Sequence, residues 1–270
     1  MSPRCFNIAR YQGSVLLQYL ANCVILTELT LVYFCGTLIL VSILYSCAGQ
    51  AGASGYIAVM ALFGFPSATI KPTALVLNVF VSAIVSLRFF RAGHFSWRLL
   101  FPFAISSLPA AMLGGFISLP ANIFNRLLGS LLLVAALPLV LGRVPEQDAD
   151  SPPRWPVALL AGAAVGLLSG LTGVGGGILF TPLLIYCRWA PPRTAAAISA
   201  VFIFINSVSA LIGHLGAAGS LPPNLPLFTF AALFGGAIGS QLGSVHLSPV
   251  AIHRILGAIL IVAGWKLVLG

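Results

Sequence analysis

The chain has 270 residues, 59% hydrophobic and only 6% charged, where a soluble domain carries about a quarter charged. That composition excludes a water-soluble globular fold. The formal net charge of +9 does not mark a nucleic-acid binder either, because the arginines cluster at the ends of apolar runs (Arg88, Arg91, Arg98; Arg143, Arg154; Arg188, Arg193) without a basic stripe interleaved with aromatics.

No Asp, Glu, Lys or Arg occurs between Glu28 and Lys71, between Arg98 and Arg126, between Arg154 and Arg188, or between Arg193 and Arg254. Each window holds one or more apolar helices of about 20 residues, enough to span a bilayer. The fold class is therefore an all-α polytopic membrane protein, set in the cell inner (plasma) membrane. Residues 1–28 are expected to form an N-terminal tail and not a cleaved leader. Their apolar run is broken by Gln18 and Asn22, and no small-residue cleavage site stands out. A first span follows at about 29–48, then a short glycine-led segment at 53–66, then three longer spans ending near 142.

The stretch GRVPEQDADSPPRW, residues 142–155, holds three of the four acidic residues and three prolines. It reads as an aqueous linker, 143–156, with Glu146, Asp148 and Asp150 simply solvated. Beyond it the series repeats: a span at 157–171, a short segment at 174–189, and longer spans to residue 270. The five cysteines form no CxxC pair and read as small apolar side chains. No metal or cofactor is expected.

The repetition reaches into the sequence itself. RLLGSLLLVAALPLVLG from Arg126 and RILGAILIVAGWKLVLG from Arg254 are identical at ten of seventeen positions without a gap, at an offset of 128. NVFVSA at 78–83 parallels NSVSA at 206–210. The expected architecture is an internally duplicated helical bundle, repeats 29–142 and 157–270, of 8–10 transmembrane segments with glycine-broken helices. Duplicated halves are a common build of secondary transporters. If the short segments cross the membrane there are ten spans and the repeats are inverted. If they do not, there are eight and the repeats are parallel. Both versions place Arg88, Arg91, Arg98 and the linker in the cytoplasm.

The densest glycine cluster is SGLTGVGGG, 169–177. It lacks the third glycine of a dinucleotide fingerprint and the Lys-Ser/Thr of a phosphate loop. Gly162 and Gly166, like Gly235, Gly239 and Gly243, have the spacing of close helix packing. Gly170, Gly173, Gly175, Gly176 and Gly177 are too dense for packing alone and predict a helix break. Irregular backbone survives at membrane depth only where it is buried in protein or lines a wet cavity. The helix restarting after such a break presents unpaired N–H groups and the positive end of its dipole, an anion site without a charged side chain. The candidate substrate-binding residues are Gly173, Gly175, Gly176 and Gly177 with Ser169 and Thr172, joined more weakly by Gly52 and Ser54 of the first half. Asn78 and Asn206 occupy equivalent places in the two halves and are candidate ligands, the alternative being that they only bond helix to helix. Lys71 and Arg193 are read in matching turns, drawing an anion or contacting headgroups. His214 is read as an interfacial or packing residue more readily than a proton relay.

SGLTGVGGGILFTPLLIY followed by APPRTAAAISAVFIFINSVSALIGHLGAAG resembles the sulfite exporter TauE/SafE family of membrane permeases, which carries the same G-x-G-G-G-x-x-x-x-P element after a first span. The likeness covers about 29–270 and is closer in the second half, since AGQAGASGYIAVMALFGFP lacks the triple glycine. It implies a secondary transporter of small anions such as sulfite, sulfonates or related organic anions, with lipid as the other partner. The competing readings are a membrane scaffold or biogenesis factor without a substrate, and an intramembrane enzyme. The enzyme lacks a catalytic pair: Glu28, at an edge, is the nearest acidic residue to any span.

Overall fold

In a computed structural model, the described residues are 13–47, 51–91, 93, 95–141, 153–217, 221–222, 224–242 and 249–269. They form ten α-helices and no strand: α1 Gly13–Cys47, α2 Ala53–Leu62, α3 Ser67–Arg91, α4 Trp97–Phe116, α5 Ala121–Leu141, α6 Trp155–Thr172, α7 Gly177–Tyr186, α8 Pro192–Gly216, α9 Leu225–Leu242 and α10 Pro249–Leu269. The apolar stretches Leu29–Cys47, Ser67–Arg91, Trp97–Phe116, Trp155–Thr172 and Pro192–Gly216 are each long and apolar enough to cross a membrane. This is a multi-pass membrane protein. α1 reaches back to Gly13, so the second part of the expected tail is helical. Residues 1–12 and the core of the linker, 142–152, lie outside the described residues.

Glycines set how the helices meet. Gly162, Gly166 and Gly170 of α6 lie against the backbone of Phe103, Ser107 and Ala111 of α4, and Gly114 lies against Leu167 and Leu171. A β-carbon at any of these positions would stand 2.5 Å or less from a neighbouring oxygen, so only glycine admits this approach. Membrane helices associate through such close contacts because lipid offers no hydrophobic drive between them. Gly170 therefore belongs to this seam and not to the break. Gly235 and Gly239 of α9 pack in the same manner on Ile39 and Ile43 of α1.

These contacts also fix direction. Along the α4–α6 seam the numbers rise together, so the two helices are parallel, and so are α1 and α9. α8 runs with α4: Ile198 and Phe202 share a core with Leu99 and Phe103, while Ser209 and Gly213 meet Leu108 and Met112 further along. α3 runs with α1, since Phe65 stacks on Phe34 and Gly236 of α9 lies between Val81 and Ser42 further along. α3 runs against α4, with Lys71 at Gly114 and Leu75 in one cluster with Ala111.

Thus α1, α3 and α9 point one way and α4, α6 and α8 the other. α1 and α3 are parallel, as are α6 and α8, so α2 and α7 must each return the chain through the bundle. Each has ten residues, about 15 Å at 1.5 Å per residue, half of a hydrocarbon core of about 30 Å.

Candidate functional site: the break between two membrane helices

α6 ends at Thr172 because Gly173 turns left-handed, φ 81, and closes its N–H on the Ser169 carbonyl at 2.8 Å. Gly175 and Gly176 are also left-handed, φ 74 and 82. Side-chain-bearing residues enter that region only with strain. Three such residues within four positions fold the chain back into the bundle. α7 then begins beside Ile203, near the middle of α8.

The local hydrogen bonding leaves donors over. The amides of Leu179 and Phe180 both bond the Gly176 carbonyl, at 3.1 and 2.9 Å. The amides of Val174, Gly175, Gly176, Gly177 and Ile178 meet no acceptor among the described residues. The first amides of any helix lack a partner within it, and here they are buried inside the protein, where most backbone N–H groups are bonded. They surround the N-terminus of α7, where the helix dipole adds roughly half a positive charge.

Side chains complete the enclosure. Ser207 of α8 is fully buried, and its Oγ stands 3.0 Å from where a β-carbon on Gly175 would be. Asn78 of α3 donates its Nδ2 to the Gly173 carbonyl at 3.1 Å. Ser169 faces Gly176 from α6, its Cβ 3.5 Å from the position of an added β-carbon there. Ser169 Oγ, Ser207 Oγ, Asn78 Oδ1 and Asn206 Oδ1 are buried without a hydrogen-bond partner. Asn206 shares the helix face of Phe202 and Ile203 and bonds the Phe202 carbonyl through Nδ2 at 2.9 Å. Thr172 donates to the Leu168 carbonyl of its own helix at 2.6 Å, so its hydroxyl proton is committed.

The break before α2 has similar backbone but different surroundings. Gly52 is left-handed, φ 88, and caps α2. A β-carbon there would stand 2.8 Å from the Tyr56 ring, and one on Gly55 would stand 2.5 Å from that of Tyr45. Tyr56 pairs with Ser42 Oγ at 2.9 Å, and Ser42 donates to the Ala232 carbonyl at 2.6 Å. Ser54 donates to Tyr45 at 2.9 Å. The proposed ligands Gly52 and Ser54 are thus roofed by tyrosines and engaged internally. α2 and α7 still touch, and Val174 and Ile178 share one core with Tyr56 and Ile57.

Lys71 lies within α3 and not in a turn. It is buried, and its ammonium donates to the carbonyls of Gly114, Gly115 and Ile117 at 3.0, 3.0 and 2.9 Å. It caps the carbonyl end of α4, where free acceptors and the negative dipole end coincide, while its backbone packs on Gly173. Sequence reasoning missed this cap because nothing local ties residue 71 to residues 114–117. It also missed Ser207, although NSVSA was in view as a repeat.

A family model described as Sulfite exporter TauE/SafE matches residues 34–267. The probable membrane transporter protein y4hK of Sinorhizobium fredii is 41% identical over 231 residues, 84% of this chain and 94% of that protein. The probable membrane transporter protein YjnA of Bacillus subtilis is 26% identical over 248 residues, 84% of this chain and 96% of that one. A sulfite exporter TauE/SafE family protein of Arabidopsis thaliana is 47% identical over a shorter stretch of 55 residues, 20% of this chain and 11% of that protein. No solved structure matches the chain.

Proposed function

The chain belongs to the sulfite exporter TauE/SafE family, and on that premise we propose that it is a secondary permease moving small anions, of the sulfite and sulfonate class, across the cytoplasmic membrane. One observation carries the reading: five backbone amides without acceptors, at the N-terminus of a half-length helix buried in the bundle. Such a set accepts an anion's oxygens without a permanent cation. Transporters place substrate sites at broken helices near mid-membrane, between repeats.

We read the two repeats, 29–142 and 157–270, as inverted copies. Helices holding matching places, α1 and α6, α3 and α8, α4 and α9, run in opposite directions, which favours ten traverses over eight. In this reading the bundle end carrying Arg88, Arg91, Arg98, Arg154 and Arg193 faces the cytoplasm with the linker. A cysteine placed at Gln147 is then labelled by an impermeant reagent only from the cytoplasmic side, and one at Gly219 only from outside. The functional test is flux of radiolabelled sulfite and sulfonates in proteoliposomes, with and without a proton gradient. Protein-dependent flux of these anions supports a permease. Correctly inserted protein that moves none of them contradicts it.

A further inference from the structure

From the inventory of uncommitted groups we infer that the α6–α7 break selects a singly charged anion carrying its own hydrogen-bond donor, and rejects dianions. The inference rests on the permease reading and goes on to the charge and hydrogen-bonding character of the substrate.

The atoms nearest the glycines of the break include no Lys or Arg side-chain atom. Lys71, whose backbone packs on Gly173, has its ammonium held by three carbonyls at the end of α4. That helix end contributes roughly half a negative charge of its own, which offsets about half of the ammonium's charge. What remains at the break is dipolar: five free amides, the N-terminus of α7 and the hydroxyls of Ser169 and Ser207. The helix end supplies roughly half a positive charge and the amides and hydroxyls add donors, a set that suits one negative charge and not two. A second charge would be buried without a counterpart, which costs far more than the dipoles return.

A site made only for a bare anion needs donors alone. Here two buried acceptors, Asn78 Oδ1 and Asn206 Oδ1, also have no partner. Asn78 reaches the break directly: its Nδ2 lies 3.2 Å from where a β-carbon on Gly175 would stand. An anion that presents an O–H or N–H satisfies these oxygens. One that cannot leaves them desolvated and unpaired, the situation in which polar sites discriminate most strongly. Hydrogensulfite and hydroxyl- or amino-bearing sulfonates have both properties. Sulfate and disulfonates have neither.

The test is competition against radiolabelled sulfite binding to the full-length purified protein at fixed neutral pH. Methanesulfonate and sulfate are compared for charge, and isethionate and ethanesulfonate for the donor. Expected are competition by methanesulfonate but not by sulfate, and an inhibition constant for isethionate at least about tenfold below that for ethanesulfonate. Asn78→Leu should shrink the isethionate advantage while leaving competition by ethanesulfonate in place. The wild-type comparison decides even where that variant fails to fold. Equal competition by sulfate and methanesulfonate, or by isethionate and ethanesulfonate, overturns the inference and leaves the permease reading standing. No sulfite binding at all removes both.

Discussion

The two breaks share a backbone and differ in what surrounds it. Each turns on a left-handed glycine cap and leads into a ten-residue helix that ends on φ −78, ψ 0. Before α2, the hydroxyls of Tyr45 and Tyr56 engage Ser54 and Ser42 and the two rings fill the region, although the amides of Ala53, Ser54 and Gly55 meet no acceptor among the described residues either. Before α7, glycines replace bulk, and beside the amides the buried Ser169 Oγ, Ser207 Oγ and Asn78 Oδ1 are left over. On the proposed reading, one backbone device serves as scaffold before α2 and as site before α7. The ring of Tyr56 over Gly52 marks the first, and the free Ser207 beside Gly175 marks the second.

The largest expected effect separates the two at the glycines. Gly176→Leu places a side chain at φ 82, with its β-carbon 3.0 Å from Phe202 and 3.1 Å from Val165. Sulfite flux in proteoliposomes should fall to background while membrane insertion persists. Gly52→Ala, pressed 2.8 Å from the Tyr56 ring, should lower thermal stability, with the folded fraction still binding sulfite. Loss of binding by the folded Gly52→Ala protein would make the breaks equivalent and end the comparison.

Lys71→Met comes next in size. It removes three bonds from a charged donor and leaves the buried carbonyls of Gly114 and Gly115 without it, a cost of roughly 3 kcal/mol. A fall in thermal stability accompanied by disturbed binding is expected, since Lys71 backs Gly173. Unchanged stability would contradict the cap.

Smaller substitutions sharpen the contrast. Ser207→Ala should weaken sulfite affinity about tenfold, equivalent to about 1.4 kcal/mol, with little change in stability. Tyr56→Phe should do the reverse, costing about 1 kcal/mol of stability with affinity unchanged. Isotherms and melting curves on the two variants read both effects. At the fine end, Asn78→Ala and Asn206→Ala should each weaken binding, and together depart from additivity by about 0.5–3 kcal/mol, as residues sharing one ligand do. Additive losses of stability at constant affinity would return both asparagines to holding helices together.

Much of this was legible in the sequence because it is local. Charge-free windows located the spans, the glycine density at 173–177 located the break, and the spacing of Gly162, Gly166, Gly235 and Gly239 announced close helix contacts. What could not be read depends on residues far apart in the chain. The Lys71 cap joins α3 to α4 across 43 residues or more. The Ser42 bond to Ala232 spans 190. The direction of α8 relative to α4 follows from pairs such as Ser209 with Leu108, which no hydropathy window contains. Gly170 was misassigned for the same reason: its density with Gly173 is a sequence property, and its seat on Ala111 is a tertiary one.

The account's central claim is that backbone amides of the second break, and not those of the first, hold the anion. Glycine-selective amide-nitrogen NMR of the detergent-solubilised protein, titrated with sulfite, tests it without any substitution. The resonances of Gly175, Gly176 and Gly177 should move in a saturable way while those of Gly52 and Gly55 stay in place. Movement confined to Gly52 and Gly55, or saturable binding with all five unmoved, would contradict it.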